Sequence, residues 1–114
     1  MWTIIKFDKK GLPFLQKDFK KKLGDNFKFY KPKFFLHKYI NNKLVKKEFN
    51  LLGDYLFCYH NHFSNEETLN KLKYSRGLKY FLSGFIKSQD EIEKFINRCK
   101  DAEDSTGYLS KNFY

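Results

Sequence analysis

Cys58, His60 and His62 recur at every second position, the spacing that aligns side chains on one face of a β-strand. A thiol and two imidazoles are zinc-ligand chemistry. The spacing works against a shared ion, because i and i+2 side chains on a strand stand about 7 Å apart and no fourth ligand is evident. The simpler reading is a strand leaving the core, with Cys58 inside and the histidines at its wet end. Elsewhere there is no Gly-x-Ser-x-Gly elbow, no phosphate-cradling glycine loop and no pair of carboxylates in an apolar setting. Asp8, Asp18, Asp25 and Glu48 sit among lysines, which keep carboxylates ionised rather than tuned for proton transfer. No enzyme activity, metal or cofactor is expected. The chemistry left to this chain is recognition.

Any recognition surface must be carried by elements legible in the residue pattern. Met1 to Phe7 alternates as a strand, with Trp2 and Ile4 on one face and Ile5 and Phe7 on the other. Leu12, Leu15, Phe19 and Leu23 recur at helical spacing, with Pro13 in the first turn and Gly24-Asp25-Asn26 as the stop. Phe27 to Tyr39 reads as one strand with Pro32 at an edge or bulge, and Leu44 to Phe49 as its partner across an Asn41-Asn42 turn. Asp54 to His60 and Leu78 to Leu82 read as further strands. Ser64-Asn65-Glu66-Glu67 and Ser88-Gln89-Asp90-Glu91 have the form of capping boxes. The first opens a short helix through about Lys73, and the second a helix with Ile92, Phe95, Ile96 and Cys99 on one stripe. Hairpin-linked strands interleaved with helices predict an α+β fold, an antiparallel sheet of about four strands flanked by helices. Beyond about Asp101 the sequence is polar and aperiodic, which predicts a loose tail.

With 41% hydrophobic and 20% aromatic residues, 114 residues suffice for one packed domain. No apolar run is long enough for a spanning helix, so no membrane partner is expected. The beginning of the chain lacks an export pattern. Cys58 and Cys99 stand in no metal or redox spacing. They read as reduced core residues of a cytoplasmic protein. Through Asn50 there are 14 Lys and Arg against 4 Asp and Glu; from Leu51 onward there are 9 of each. A uniform lysine bias would not be so lopsided. The basic half is the footprint of a surface that meets nucleic acid or an acidic protein.

Two blocks add a specific hint. Leu51-Leu52-Gly53-Asp54-Tyr55-Leu56-Phe57 is an apolar run broken by a turn, and Arg76-Gly77-Leu78-Lys79-Tyr80-Phe81-Leu82 follows it. With Trp2 opening an apolar first strand, this order resembles the N-terminal domain of the NusG family of transcription elongation factors, including its specialised RfaH-like branch. That family carries a Trp-Tyr-apolar start, a Leu-Phe-Pro-Gly-Tyr-Leu-Phe-like block and an Arg-Gly-Val-x-x-Phe-like block. Here Leu52 and Gly53 stand where Phe and Pro are usual.

The resemblance implies an antitermination or elongation factor domain that binds bacterial RNA polymerase as a monomer and suppresses pausing. An apolar depression would receive the tip of the polymerase clamp helices, with Ile4, Leu52, Gly53, Tyr55 and Phe81 as its residues. The RfaH-like branch has a His-Thr-Thr-Thr segment that touches the polymerase gate loop. Its position falls on Thr68-Leu69-Asn70-Lys71, which makes Thr68 and Asn70 the contacts. The same branch touches the non-template DNA strand through basic residues. The matching positions are Lys9, Lys10, Lys17, Lys20, Lys21 and Arg76, and nascent RNA is an alternative ligand for them. The resemblance further implies that residues 1–104 are the domain and that 105–114 begin a linker or disordered tail, with no C-terminal KOW barrel expected within these residues.

Two other readings stand beside this one. A stand-alone RNA- or single-stranded-DNA-binding domain would stack bases on Phe27, Phe29, Tyr30, Phe34 and Phe35, interleaved with Lys28, Lys31 and Lys33. A small metal-dependent nuclease would use Cys58, His60 and His62. His60-Asn61-His62 spells the letters of the HNH nucleases, but that family does not carry them contiguously.

Overall fold

The computed structural model describes residues 1–110. Strand β1 (Trp2–Phe7) leads through a 3-10 turn (Lys9–Gly11) into helix α1 (Leu12–Leu23). Pro13 occupies the first turn of α1, and Gly24 ends it at φ +77°, a conformation open mainly to glycine. Then follow β2 (Lys28–Tyr30), β3 (Lys33–Ile40), β4 (Lys43–Asn50) and β5 (Tyr55–Tyr59), α2 (Glu66–Leu72), β6 (Leu78–Phe81) and α3 (Gln89–Asp101). The fold is α+β. A four-stranded antiparallel sheet has the order β2-β5-β1-β6, and β3 and β4 form a separate two-stranded ribbon.

The expected single strand over Phe27 to Tyr39 is two strands in two sheets. Pro32 is the reason: it has no N–H to donate to a ladder. β2 ends before it on β5, and β3 begins after it on β4. The ribbon turns at Asn41 (φ 52°) and Asn42 (φ 63°), the double left-handed pair of a two-residue type I′ hairpin. The radius of gyration is 15.7 Å, on axes of 52 × 29 × 24 Å, against roughly 13 Å for a compact chain of this length. The protruding ribbon accounts for the difference.

Strand parity divides the four-stranded sheet into two faces. Thr3, Ile5, Phe7, Leu56, Cys58 and Phe81 share one face, covered by Leu15 and Phe19 of α1 and Leu72 of α2, all fully buried. Phe19 is the hub there, with ring contacts to Phe27, Phe29 and Phe81. Ile4, Lys6, Tyr55, Phe57, Tyr80 and Leu82 share the other face. Helix α3 covers part of it through Ile92, Phe95 and Ile96.

Helix α2 opens at Asn65 rather than Ser64, the Asn65 carboxamide accepting the Glu67 N–H. Ser88 makes no side-chain cap for α3. The residue after it does the positioning: the Trp2 N–H donates to Gln89 Oε1 (2.9 Å), and Gln89 Nε2 donates to the Trp2 carbonyl (2.7 Å). β6 pairs with β1 only as far as Ile4, so the Gln89 amide takes the ladder's place beyond it.

The loose tail expected after Asp101, and the linker assigned to 105–114, give way over 105–110 to a docked strap; residues 111–114 lie outside the described residues. Leu109 is buried, and its N–H donates to the Lys33 carbonyl. Asp104 accepts from the N–H groups of Thr106 and Tyr108, which lowers its pKa from the ordinary value, the Thr106 hydroxyl being the largest cause. Buried Leu109 and the Asp104 turn together hold this polar stretch against the domain.

Candidate functional site

Where α3 leaves the sheet uncovered, a cavity of about 470 Å³ opens between them. Ile4, Leu52, Tyr55, Phe57, Leu82, Ile92 and Phe95 line it, with Glu91 at the edge. Every wall but Glu91 is apolar. β1 supplies Ile4, and β5 supplies Tyr55 and Phe57 across the ladder, Ile4 opposite Phe57. The turn before β5 delivers Leu52. That turn closes on Gly53 at φ +63°, whose N–H donates to the Asn50 carbonyl while the Tyr55 N–H donates to that of Leu52.

Beside the cavity, on the same sheet face, Lys6, Tyr55 and Tyr80 form a polar cluster. The Tyr55 and Tyr80 hydroxyls lie 3.4 Å apart, and the Lys6 ammonium sits over both rings at 5.5 and 5.8 Å. The contact with Tyr80, followed by burial, raises the Tyr55 pKa above that of an ordinary phenol. An apolar floor with a sparse polar margin is a surface for another protein's side chains.

Of the five residues expected at such a depression, the structure brings together Ile4, Leu52 and Tyr55. Phe81 is a correction. It pairs with Ile5 and points to the opposite face, onto Phe19 and Phe63. Leu82, whose N–H donates to the Ile4 carbonyl, takes its place. Gly53 is also corrected: it is exposed, forms no wall, and serves to place Leu52 and Tyr55. Phe57, Ile92 and Phe95 were missed. The helical stripe at Ile92 and Phe95 was visible, but which sheet face it covers was not.

Thr68 and Asn70 do not share a surface. Two residues apart on a helix, they project to different sides. Thr68 lines a polar cleft with Lys22, His60 and Lys71, and Asn70 an adjacent one with Leu78 and Phe81.

Lys17, Lys20 and Lys21 lie on α1, Lys9 and Lys10 in the 3-10 turn before it, and Arg76 between α2 and β6. The 3-10 turn and the Arg76-Gly77 block meet at two glycines. A Cβ on Gly77 would lie 2.3 Å from the Gly11 carbonyl oxygen, and Gly77 has φ +89°. Only glycine fits this crossing. Arg76 is held by its N–H to Asp18 Oδ2 (3.0 Å) and by its guanidinium 3.7 Å from the Phe14 ring centre. Lys9 lies 3.8 Å from Asp54 and Lys20 3.6 Å from Asp25, exposed pairs that bind weakly.

The alternation of Cys58, His60 and His62 breaks down because β5 ends at Tyr59. His60 turns inward, its Nδ1 accepting the His62 N–H at 3.1 Å, and burial followed by the neighbouring His62 lowers its pKa. Burial pushes the Cys58 thiol well above its ordinary value. Among the described residues, no three His, Cys, Asp or Glu side chains come together as a metal site, and no helix is long and apolar enough to cross a membrane.

Comparison of the chain with protein-family models finds no match, and comparison with the curated proteins finds none either.

Proposed function

We propose that this chain is a non-enzymatic, NusG-like transcription elongation or antitermination factor. Its apolar cavity seats the tip of the clamp helices of bacterial RNA polymerase, and its basic surface meets the nucleic acid alongside. The convergence of Ile4, Leu52 and Tyr55 on one apolar cavity carries this reading. Those residues stand far apart in the chain, and the fold gives them one wall. The α+β sheet with helices on both faces agrees with the architecture that the resemblance implies.

A factor that stabilises a closed clamp must bind it better than the open one. The monomer does so by filling its cavity with one partner helix tip while its other face lies against the nucleic acid. The reading sets the protein in the cytoplasm, with the polymerase, and the two buried thiols, Cys58 and Cys99, are unbridged. The gate-loop contact is the weakest part of the resemblance, since Thr68 and Asn70 diverge. The base-stacking alternative fares less well. Phe27 and Phe29 are edge-on to Phe19, and Tyr30 stacks on Phe57 with its hydroxyl on Glu103, so these rings are spent on the domain itself.

The test is co-purification with core RNA polymerase. Leu52→Ala with Tyr55→Ala, folded by circular dichroism, is expected to weaken capture about tenfold or more, as loss of an interface hot spot does. Deleting the clamp-helix tip is expected to abolish it. Capture that survives both changes refutes the reading.

A further inference from the structure

We propose that the β3–β4 ribbon is a DNA-binding element whose ligand is a duplex, gripped through the phosphates on both sides of one groove. This rests on the nucleic-acid half of the function above and not on the apolar cavity. The basic residues suggested by the family resemblance lie on α1, in the 3-10 turn before it and, for Arg76, in the segment between α2 and β6. None of the ribbon's lysines is among them.

Between Lys33 and Asn50 the chain carries five lysines and one glutamate. The register sorts the lysines onto both faces of the ribbon. Lys38, Lys43 and Lys47 share a face with Phe49, and Lys33 and Lys46 share the other with Phe35. The lone carboxylate is engaged at the base, where Glu48 accepts the Tyr108 hydroxyl at 2.6 Å and lies 4.0 Å from Lys33. Farther out the cations rest on rings, Lys46 over Phe35 at 4.2 Å and Lys38 over Phe49 at 5.0 Å. These contacts hold the lysine stems along the ribbon, which lowers the ordering cost when their ammonium groups meet phosphates.

The two-faced arrangement selects the ligand. A single strand offers one line of phosphates and would engage one face. A duplex groove has a phosphate wall on each side, and the major groove, about 12 Å wide, admits a two-stranded ribbon. Lysines on exposed strand edges also deter edge-to-edge aggregation. That role alone does not explain the bare apolar tip, where Tyr39 and its cross-strand partner Leu44 are 79% and 57% exposed. At the bottom of a groove such side chains meet base edges and thymine methyls.

The experiment measures fluorescence anisotropy of a labelled duplex, and of each of its strands alone, from about 50 to 200 mM salt. It compares the wild type, Lys43→Gln/Lys46→Gln/Lys47→Gln in the ribbon, and Lys17→Gln/Lys20→Gln/Lys21→Gln on α1. The wild type is expected to bind the duplex more tightly than either strand. At about 0.9 per phosphate, the ribbon variant should flatten the dependence of log affinity on log salt by about 2.7. Across that salt range the wild type should then lose about 40 times more affinity than the variant. The α1 variant should flatten it less. No duplex binding by the wild type, equal binding of a single strand, or a larger effect from the α1 variant would overturn the proposal. Polymerase capture by the ribbon variant is expected to persist, so failure here is separable from failure of the cavity reading.

Discussion

The molecule contains two β-structures that treat apolar residues in opposite ways. In the four-stranded sheet, Ile5, Phe7, Leu56 and Cys58 are sealed under α1 and α2. In the β3–β4 ribbon, Leu36, Tyr39, Ile40, Leu44 and Val45 are all exposed. The first set holds the fold. The second contributes little to it, so the ribbon's sequence is free to answer to a ligand. Between these extremes lies the partly covered face at Ile4 and Tyr55, where burial is sufficient for stability and incomplete enough to leave a cavity. Position in the topology, more than residue type, separates a core side chain from a contact one.

That contrast can be broken by mutation. The largest effect is expected for Phe19→Ala, which removes the ring that meets Phe27, Phe29 and Phe81. It should cost about 3–5 kcal/mol in denaturant unfolding, and a much smaller loss would show the sheet core to be loosely packed. Leu109→Ala comes next, at about 2 kcal/mol. Amide exchange should also quicken at the base of the ribbon, because the Leu109 N–H is bonded to the Lys33 carbonyl. Unchanged exchange there would mean that the ribbon holds its own base without the strap. Least of all is expected from Leu44→Thr, within about 0.5 kcal/mol of the wild type. A larger loss would make the ribbon a structural element and erase the distinction.

Local signals specified much of the chain. Proline in the first turn and Gly24 after the last bounded α1 because both act within a residue or two. The Asn41-Asn42 pair marked the ribbon turn for the same reason, and the stripe from Ile92 to Cys99 marked α3. The Gly53-Asp54 bend and the strand after it were equally legible, and the resemblance placed Leu52 and Tyr55 beside the cavity they line. Reading Phe27 to Tyr39 as one strand failed because periodicity does not record which partner each half will find. Phe81 was assigned to the wrong face because strand parity fixes faces only relative to a neighbour, and the β1–β6 register was unknown.

Composition and short-range pattern thus determined the α+β class, the basic first half and the order of the elements, since these depend on neighbours in the chain. Only the tertiary structure decided which face each strand shows to α1 or α3. It also decided that Gly11 and Gly77 must touch, that Gln89 completes the edge of β1, and that a polar tail is pinned by Leu109. Each of these depends on contacts between distant residues, whose geometry exists only once the chain has closed on itself.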